Sequence, residues 1–260
     1  MPDIYLESGL ESSKNFRQTV MIGIPCFNTK RHITDVVKRA SEYADEIIVI
    51  DDGSTDNTGE LATAAGAKVI FHQGNRGYGK AIKSCFEAAR LSQHDVLVIL
   101  DGDGQHNPDE VPRVIEPILK GEADLVIGSR FLHKPTTMPR YRRFGINIIN
   151  SLFNFRANIK LSDSQSGFRA YKKSFFQAVI LKESGMGVSL EILFHSQRLG
   201  LHIKEVPITC VYHDYSSVKN PILHGIGVTI IAIKYQIIGK FLSYKNIGRE
   251  KSVDEENDGT

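Results

Sequence analysis

The chain has 260 residues, of which 41% are hydrophobic and 24% are charged, and it carries a formal net charge of +2 at pH 7. This length is enough for one large α/β domain or two small ones, and the composition is typical of a soluble globular protein. The near balance of charges excludes a globally basic chain, so the composition gives no indication of nucleic acid as a partner.

Residues 1–18 are polar and acidic and lack the apolar core of a signal peptide, so we expect a flexible arm there. Strands are predicted at Val20–Ile24, Glu46–Asp51, Lys68–His72, Asp95–Asp101 and Asp124–Ser129. Helices are predicted at Arg31–Tyr43, Thr58–Ala65, Gly79–Leu91 and Asp109–Leu119. This alternation predicts an α/β fold with a mostly parallel, twisted sheet flanked by helices.

The pattern changes after Arg130. A basic, proline-containing stretch precedes a helical run at 146–155, and the polar loop LSDSQSGFR follows. A further helix is predicted at Ser189–Leu199 and a strand at Lys204–Val211. Residues 220–243 form an apolar to amphipathic segment, and residues 244–260 read as a polar, solvated tail.

Three widely spaced cysteines, Cys26, Cys85 and Cys210, form neither a CxxC pair nor an even set. The spacing therefore indicates neither a zinc site nor a disulfide framework. A reducing, cytoplasmic location fits this usage best.

Four successive strand ends are polar or rich in glycine: PCFN, DDGSTDNT, GNRGYGK and DGDGQH. Ligands of open parallel sheets bind at the carboxyl ends of the strands, near a topological switch point. The coincidence of these four strand ends is the main functional signal in the sequence.

The second of these strand ends, DDGSTDNT, has two interpretations. In the functional one, Asp52 accepts hydrogen bonds from a base or ribose, and Gly53 lets the backbone approach closely. In the other, the stretch is a turn in which Asp56 caps the next helix.

The fourth strand end, DGDGQH, indicates a metal site. Asp101 and Asp103 repel each other at the end of a strand unless a cation neutralises them. Mg²⁺ or Mn²⁺ suits oxygen ligands and shares its coordination sphere with substrate phosphates. Gln105 adds a neutral oxygen and His106 a possible further group. The alternative is an acidic surface turn without metal.

The stretch GNRGYGKA matches part of a P-loop, but Ala81 stands where a P-loop needs a hydroxyl for its metal. Lys80 remains a candidate for contact with a phosphate or ribose, or it belongs to a helix that packs on the sheet. Arg130, at the fifth strand end, lies beside the proposed metal and suits phosphate recognition. Arg140, Arg142 and Arg143 form either a further phosphate site or a solvated basic face.

The motifs PCFN, IVIDDGSTDNT, NRGYGKAI, LDGDGQHNPDEV, IGSR and SGFRAY, in this order, resemble a family 2 glycosyltransferase of the GT-A fold. The chain is most similar to the dolichyl-phosphate mannose and glucose synthase group, over Val20 to Lys219. The resemblance implies a catalytic domain at 19–219. It implies a nucleotide pocket lined by Pro25, Phe27, Thr29, Ile50 and Asp52. It implies that Asp101, Gly102, Asp103 and Gln105 hold metal and diphosphate, and that Arg130 and Lys219 contact phosphates.

The chain departs from the family pattern at three positions. Phe27 and Thr29 stand where relatives commonly have Tyr and Glu, and His213 stands where the pattern has an arginine. His213 is a candidate for binding the nucleotide-sugar donor. The donor stays open between GDP-mannose and UDP-glucose types.

The sequence lacks the general base that a hydroxyl acceptor of the sugar would need. The Glu-Asp dipeptide of many hydroxyl-using relatives is absent, and a phosphate acceptor is already ionised and needs no base. A polyprenyl or dolichyl phosphate is therefore favoured as acceptor for an inverting, metal-dependent hexosyl transfer. The alternative is a glycan or protein hydroxyl acceptor with Asp163 as the base. A non-catalytic nucleotide-sugar-binding module is disfavoured, because it has no need of two repelling acids.

The segment Pro221–Leu242 is apolar around much of its circumference, but its uncharged core is short for a transmembrane helix. We expect it to lie at the cytoplasmic face of a membrane, making the protein peripherally associated. The alternatives are packing against a membrane subunit or forming the core of a homodimer.

Overall fold

The computed structural model describes residues 17–132, 138, 140–155, 157 and 159–212. Its strands are β1 Val20–Cys26, β2 Glu46–Asp51, β3 Lys68–Phe71, β4 Val96–Ile99, β5 Leu125–Ser129, β6 Arg169–Lys172 and β7 Ile203–Pro207. Its helices are α1 Ile33–Ala40, α2 Thr58–Ala64, α3 Tyr78–Leu91, α4 Val111–Leu119, α5 Arg140–Asn154, α6 Lys173–Ala178 and α7 Val188–Arg198. No helix among these described residues is both long and apolar enough to cross a membrane.

The seven strands form one sheet in the order β3-β2-β1-β4-β6-β5-β7. All neighbouring pairs are parallel except those of β6, which runs antiparallel to both β4 and β5. The predicted α/β fold with a mostly parallel sheet is confirmed. Successive strands are added outward from β1 on one side and then, from β4, on the other. This reversal opens a crevice at the carboxyl ends of β1 and β4.

Two hydrophobic layers bury the two faces of the sheet. Helices α1, α2 and α4 cover one face, and α3, α5, α6 and α7 cover the other. Side chains alternate between the layers along each strand, so that Met21 faces α3 while Ile22 faces α1. Because both faces are covered, the strands read as nearly continuous apolar runs, which is why the sequence predicted them well.

The largest difference from the sequence prediction is β6, with α6 directly after it. This strand has only four residues and begins with the charged Arg169, so the sequence reads there as the end of a polar loop. Its insertion between β4 and β5 depends on long-range pairing that no local pattern encodes. Two predicted strands were also too long: β4 ends at Ile99 and β7 at Pro207. The helix predicted at 146–155 begins earlier, at Arg140.

Candidate active site

A cleft of about 420 Å³ lies at the carboxyl ends of β1, β2, β4 and β5. It collects ten of the residues singled out from the sequence: Pro25, Phe27, Thr29, Asp52, Asp101, Gly102, Asp103, Gln105, His106 and Arg130. These residues come from four separate strand ends. The sheet therefore assembles one site from segments that lie up to 105 positions apart, Pro25 to Arg130.

Other candidates lie outside this lining. Ile50 is fully buried in the core layer beneath α3, because strand alternation turns it away from the crevice. Gly53 has φ +76°, and a Cβ there would lie 2.4 Å from the Gly74 backbone, so it allows two loops to touch. Lys80 is exposed on α3. His213 and Lys219, and the whole of 220–260, lie outside the described residues.

The two aspartates after β4 form a half-buried acidic pair. Burial raises the pKa of Asp101 to about 6, although Tyr78 Oη lies 3.3 Å from its Oδ1 and donates to it. Burial, and next the charge of Asp101, raise the pKa of Asp103. A carboxylate pair whose charge is disfavoured in this way is the electrostatic condition that a bound cation relieves.

The side chains of Gln105 and His106 lie next to this aspartate pair. Gln105 donates its backbone N–H to Asp103 Oδ1 at 3.0 Å, and its side-chain amide nitrogen donates to Oδ2. Gln105 therefore holds Asp103 in place in this arrangement. His106 packs on Phe168, and burial lowers the pKa of its imidazole to about 4. Its buried Nδ1 has no hydrogen-bond partner among the residues that the structure describes and lies 3.6 Å from Asp101 Oδ2.

The donor set fits a divalent cation that also binds substrate. In the described part of the chain, no group of three or more His, Cys, Asp or Glu side chains is arranged to hold a metal. Two carboxylates with an unpartnered imidazole nitrogen nearby leave several positions for water and diphosphate oxygens. Mg²⁺ and Mn²⁺ are commonly bound in this way, through one or two carboxylates plus phosphate.

Gly167 makes room for this pair. A Cβ at position 167 would lie 2.6 Å from Asp101 Oδ2 and 3.0 Å from Tyr78 Oη. Gly167→Ala should therefore displace the Asp101 carboxylate and raise the Mn²⁺ concentration needed for half-maximal transfer by about tenfold, with unfolding easier by about 1–3 kcal/mol. Metal titration of the transfer rate checks this.

Gly145→Ala is the matched control, because nothing lies within 4 Å of a Cβ there and residue 145 is inside α5. Its metal dependence should not change. An unchanged metal requirement in Gly167→Ala would contradict the crowding argument.

Arg130 is held rigidly in the wall of the cleft by Asp163. Asp163 is 0% exposed and accepts from Arg130 Nε at 2.7 Å and from Nη2 at 2.8 Å, a two-pronged ion pair. The backbone N–H groups of Arg130 and Gln165 donate to the same carboxylate at 3.1 and 3.4 Å. Burial opposes the charge of Arg130, but Asp163 outweighs it and the pKa of the guanidinium lies above its usual value. All four acceptor positions of Asp163 are thus in use.

The other side of Arg130 faces Tyr212, whose hydroxyl oxygen accepts from Nη1 at 3.2 Å. Among the described residues, these contacts use three of the five guanidinium N–H groups, which leaves two for a ligand. Glu205 on β7 in turn accepts the backbone N–H groups of Ser162 and Asp163, both at 2.8 Å. A buried scaffold therefore fixes the position of the cleft arginine.

Asp52 lines the cleft and is also bound by protein donors. Its carboxylate accepts from His72 Nδ1 at 2.7 Å and from the backbone N–H groups of Arg76 and Gly77 at 3.0 and 2.8 Å. Asp52 thereby fastens the loop after β3 to the end of β2. That loop supplies Asn75 and Gly77 to the cleft.

The cleft contains residues that sequence reasoning missed, among them Asn75, Tyr78, Gln165, Gly167, Met186 and Ser189. The first four belong to motifs that were noticed, NRGYG and SQSGF, where attention went to the charged members. Met186 and Ser189 gave no signal, because they reach the cleft only through the packing of α7. The buried Arg169 connects the start of α7 to the SQSGF loop, because it donates to the carbonyls of Ser164, Ser166 and Ser189.

Comparison with known proteins agrees with this geometry. Residues 21–180 match the family model described as glycosyl transferase family 2. The chain is 29% identical to a UDP-N-acetylglucosamine–dolichyl-phosphate N-acetylglucosaminyltransferase of Methanococcus voltae, over 85% of this chain and 94% of that protein. It is 32% identical to an undecaprenyl-phosphate mannosyltransferase of Micrococcus luteus, over 77% of this chain and 86% of that one.

Among solved structures, the chain is similar to glucosyl-3-phosphoglycerate synthase from Mycobacterium tuberculosis in complex with Mn²⁺, UDP-glucose and phosphoglyceric acid. The TM-score is 0.69 at 22% identity, covering 84% of this chain and 79% of that one, which bears on the fold. Since the family model spans more than half of the chain, the resemblance read from the motifs is confirmed. The chain belongs to glycosyl transferase family 2 and is a glycosyltransferase.

Proposed function

We propose that this chain is a metal-dependent, inverting glycosyltransferase that moves a hexose from a nucleotide sugar to a polyprenyl phosphate of dolichyl type. The observation that carries the proposal is that each carboxylate of the site is either hydrogen-bonded to protein donors or assigned to the metal. The acceptor positions of Asp163 are filled by Arg130 and two backbone N–H groups. Asp52 accepts from His72 and from two further backbone N–H groups. Asp101 and Asp103 are the proposed metal ligands. Of these four carboxylates, two are held by protein donors and two are assigned to the metal, so none of them is assigned as a base for a hydroxyl, which favours an acceptor that is already ionised.

Asp101 and Asp103 would hold the cation, with Gln105 fixing Asp103. Mg²⁺ or Mn²⁺ bound there supplies Lewis-acid neutralisation of the departing diphosphate. The free N–H groups of Arg130 face the same cleft and would bind phosphate oxygens.

The transfer needs no proton acceptor. An oxygen of the acceptor phosphate forms a bond to the anomeric carbon while the bond from that carbon to the diphosphate oxygen breaks. Attack from the face opposite to the leaving group inverts the configuration. The negative charge passes from the acceptor phosphate to the released nucleoside diphosphate, so the charges balance without a base.

The lipid acceptor is also supported by the relatives, whose names place both sugars on polyprenyl phosphates. Their sugars differ, N-acetylglucosamine in one and mannose in the other, so similarity leaves the donor open. An enzyme that joins a soluble nucleotide sugar to a bilayer lipid would work at the cytoplasmic face of a membrane as a peripheral protein.

The test is transfer from labelled UDP- and GDP-hexoses to a short polyprenyl phosphate, with Mn²⁺ or Mg²⁺ and with EDTA. We expect an organic-extractable product that EDTA abolishes and whose anomeric configuration, read by NMR, is inverted. The matched control is the same polyprenol without its phosphate, which should accept no sugar. Transfer to the free alcohol, or donor hydrolysis alone, would contradict the proposal.

A further inference from the structure

The carboxylate of Asp52 offers a ligand only one acceptor position. Asp52 is buried, lines the cleft and accepts three hydrogen bonds from described residues. Two of them, from His72 Nδ1 and the Arg76 backbone N–H, go to Oδ1, and the third, from the Gly77 backbone N–H, goes to Oδ2. A carboxylate has about four acceptor positions, so Oδ1 is saturated and Oδ2 has one left.

His72 is the side chain that saturates Oδ1. Its ring is 7% exposed, and its Nε2 lies 2.9 Å from Ser84 Oγ. A carboxylate oxygen accepts, so Nδ1 donates in this contact, and Nε2 is paired with the serine hydroxyl. Both ring nitrogens are therefore satisfied, and the imidazole is fixed in the orientation that blocks Oδ1.

A single acceptor position on Asp52 suits a nucleobase that presents a single N–H group. Uracil presents a single N–H, at N3, between two carbonyl oxygens. Guanine presents two N–H groups side by side, at N1 and N2, and one of them would be left unpaired against a saturated Oδ1. Asn75 also lines the cleft and makes no side-chain hydrogen bond within the described residues, so its amide can donate to a uracil carbonyl.

We infer that the donor is a uridine diphosphate sugar and that His72 determines this choice by occupying the second acceptor edge of Asp52. The inference rests on the proposed function, because it assumes that the cleft takes a nucleotide sugar. The nucleobase is assigned from the number of hydrogen-bond acceptor positions that Asp52 offers. This assignment does not depend on which molecule accepts the sugar.

The first test is equilibrium binding of UDP, GDP, CDP and ADP to the full chain with Mn²⁺, by titration calorimetry. We expect UDP to bind at least about tenfold more tightly than GDP. GDP bound as tightly as UDP would overturn the inference, and so would equal binding of CDP, which has no imide N–H. A preference for UDP without a lipid product would support the inference while defeating the proposed acceptor. Failure to bind any nucleotide would overturn both.

The second test separates His72 from general damage. His72→Phe keeps a ring of similar size but removes the Nδ1–H, so it should open Oδ1 and bring the UDP to GDP affinity ratio at least about threefold closer to one. His94→Phe is the matched control, since His94 precedes β4, at the amino end of that strand, whereas the cleft lies at the carboxyl ends. It should keep the ratio of the unaltered protein. A folded His72→Phe protein with an unchanged ratio would overturn the role of His72, and the panel on the unaltered protein tests the base assignment even if this variant does not fold.

Discussion

Asp103→Asn should lower the transfer rate by at least about a hundredfold while leaving the free energy of unfolding unchanged or slightly higher. Asparagine keeps the shape of the side chain and the contact with the Gln105 backbone N–H, and the Gln105 side-chain amide can turn its oxygen toward the new N–H. It removes one of two half-buried like charges, and burial, and next the charge of Asp101, raise the pKa of Asp103. The repulsion that disfavours the empty site therefore disappears together with the cation affinity. Initial rates and urea unfolding, measured on the same preparations, check both halves.

The control for this variant is Asp35→Asn, because Asp35 is an exposed acid on α1 that forms a surface ion pair with Arg39, one helical turn away. It changes the net charge equally and should leave the rate within about twofold, as expected for a surface ion pair. An Asp103→Asn protein that keeps half of its activity would contradict the metal assignment. A large loss of stability would instead mean that Asp103 is a structural residue.

The parts of the site that follow apolar strands directly could be predicted from the sequence. Asp101 and Asp103 come immediately after VLVIL, and Asp52 follows EIIVI, so strand ends and polar residues are adjacent in the chain. Strand pairing brings parallel strand ends to one edge of a sheet, and the prediction needs nothing more than that rule. Arg130 was found by the same reasoning.

The rest of the site depends on packing that has no local signature. Met186 and Ser189 reach the cleft because the start of α7 lies close to α3, and β6 enters the sheet through pairing with strands that begin 73 and 44 positions earlier. Ile50 illustrates the opposite error, since adjacency in the motif suggested a pocket residue but strand alternation buries it in the core. Sequence motifs identify segments, whereas the direction of each side chain is a property of the fold.

Asp163 shows how contacts change the interpretation of a residue. From the sequence it was the spare acid, a candidate base for a hydroxyl acceptor. In the structure its four acceptor positions are filled and its partner is the cleft arginine, so it is placed to position Arg130. Asp163→Asn would present an amide N–H to the guanidinium N–H groups and leave a buried cation unpaired. We expect unfolding to become easier by about 3–5 kcal/mol and transfer to fall by about a hundredfold.

A double-mutant cycle with Arg130→Gln separates the positioning role from a base. If Asp163 acts through Arg130, the transfer rate of the double variant should be no lower than that of Arg130→Gln alone, because the group being positioned is already gone. The double variant should also recover part of the lost free energy of unfolding, since it no longer contains an unpaired buried charge. If Asp163 were the base, the two losses in rate would multiply instead. Transfer rates and urea unfolding of the four proteins decide between these outcomes, and multiplied losses would favour the alternative, a hydroxyl acceptor, over the phosphate.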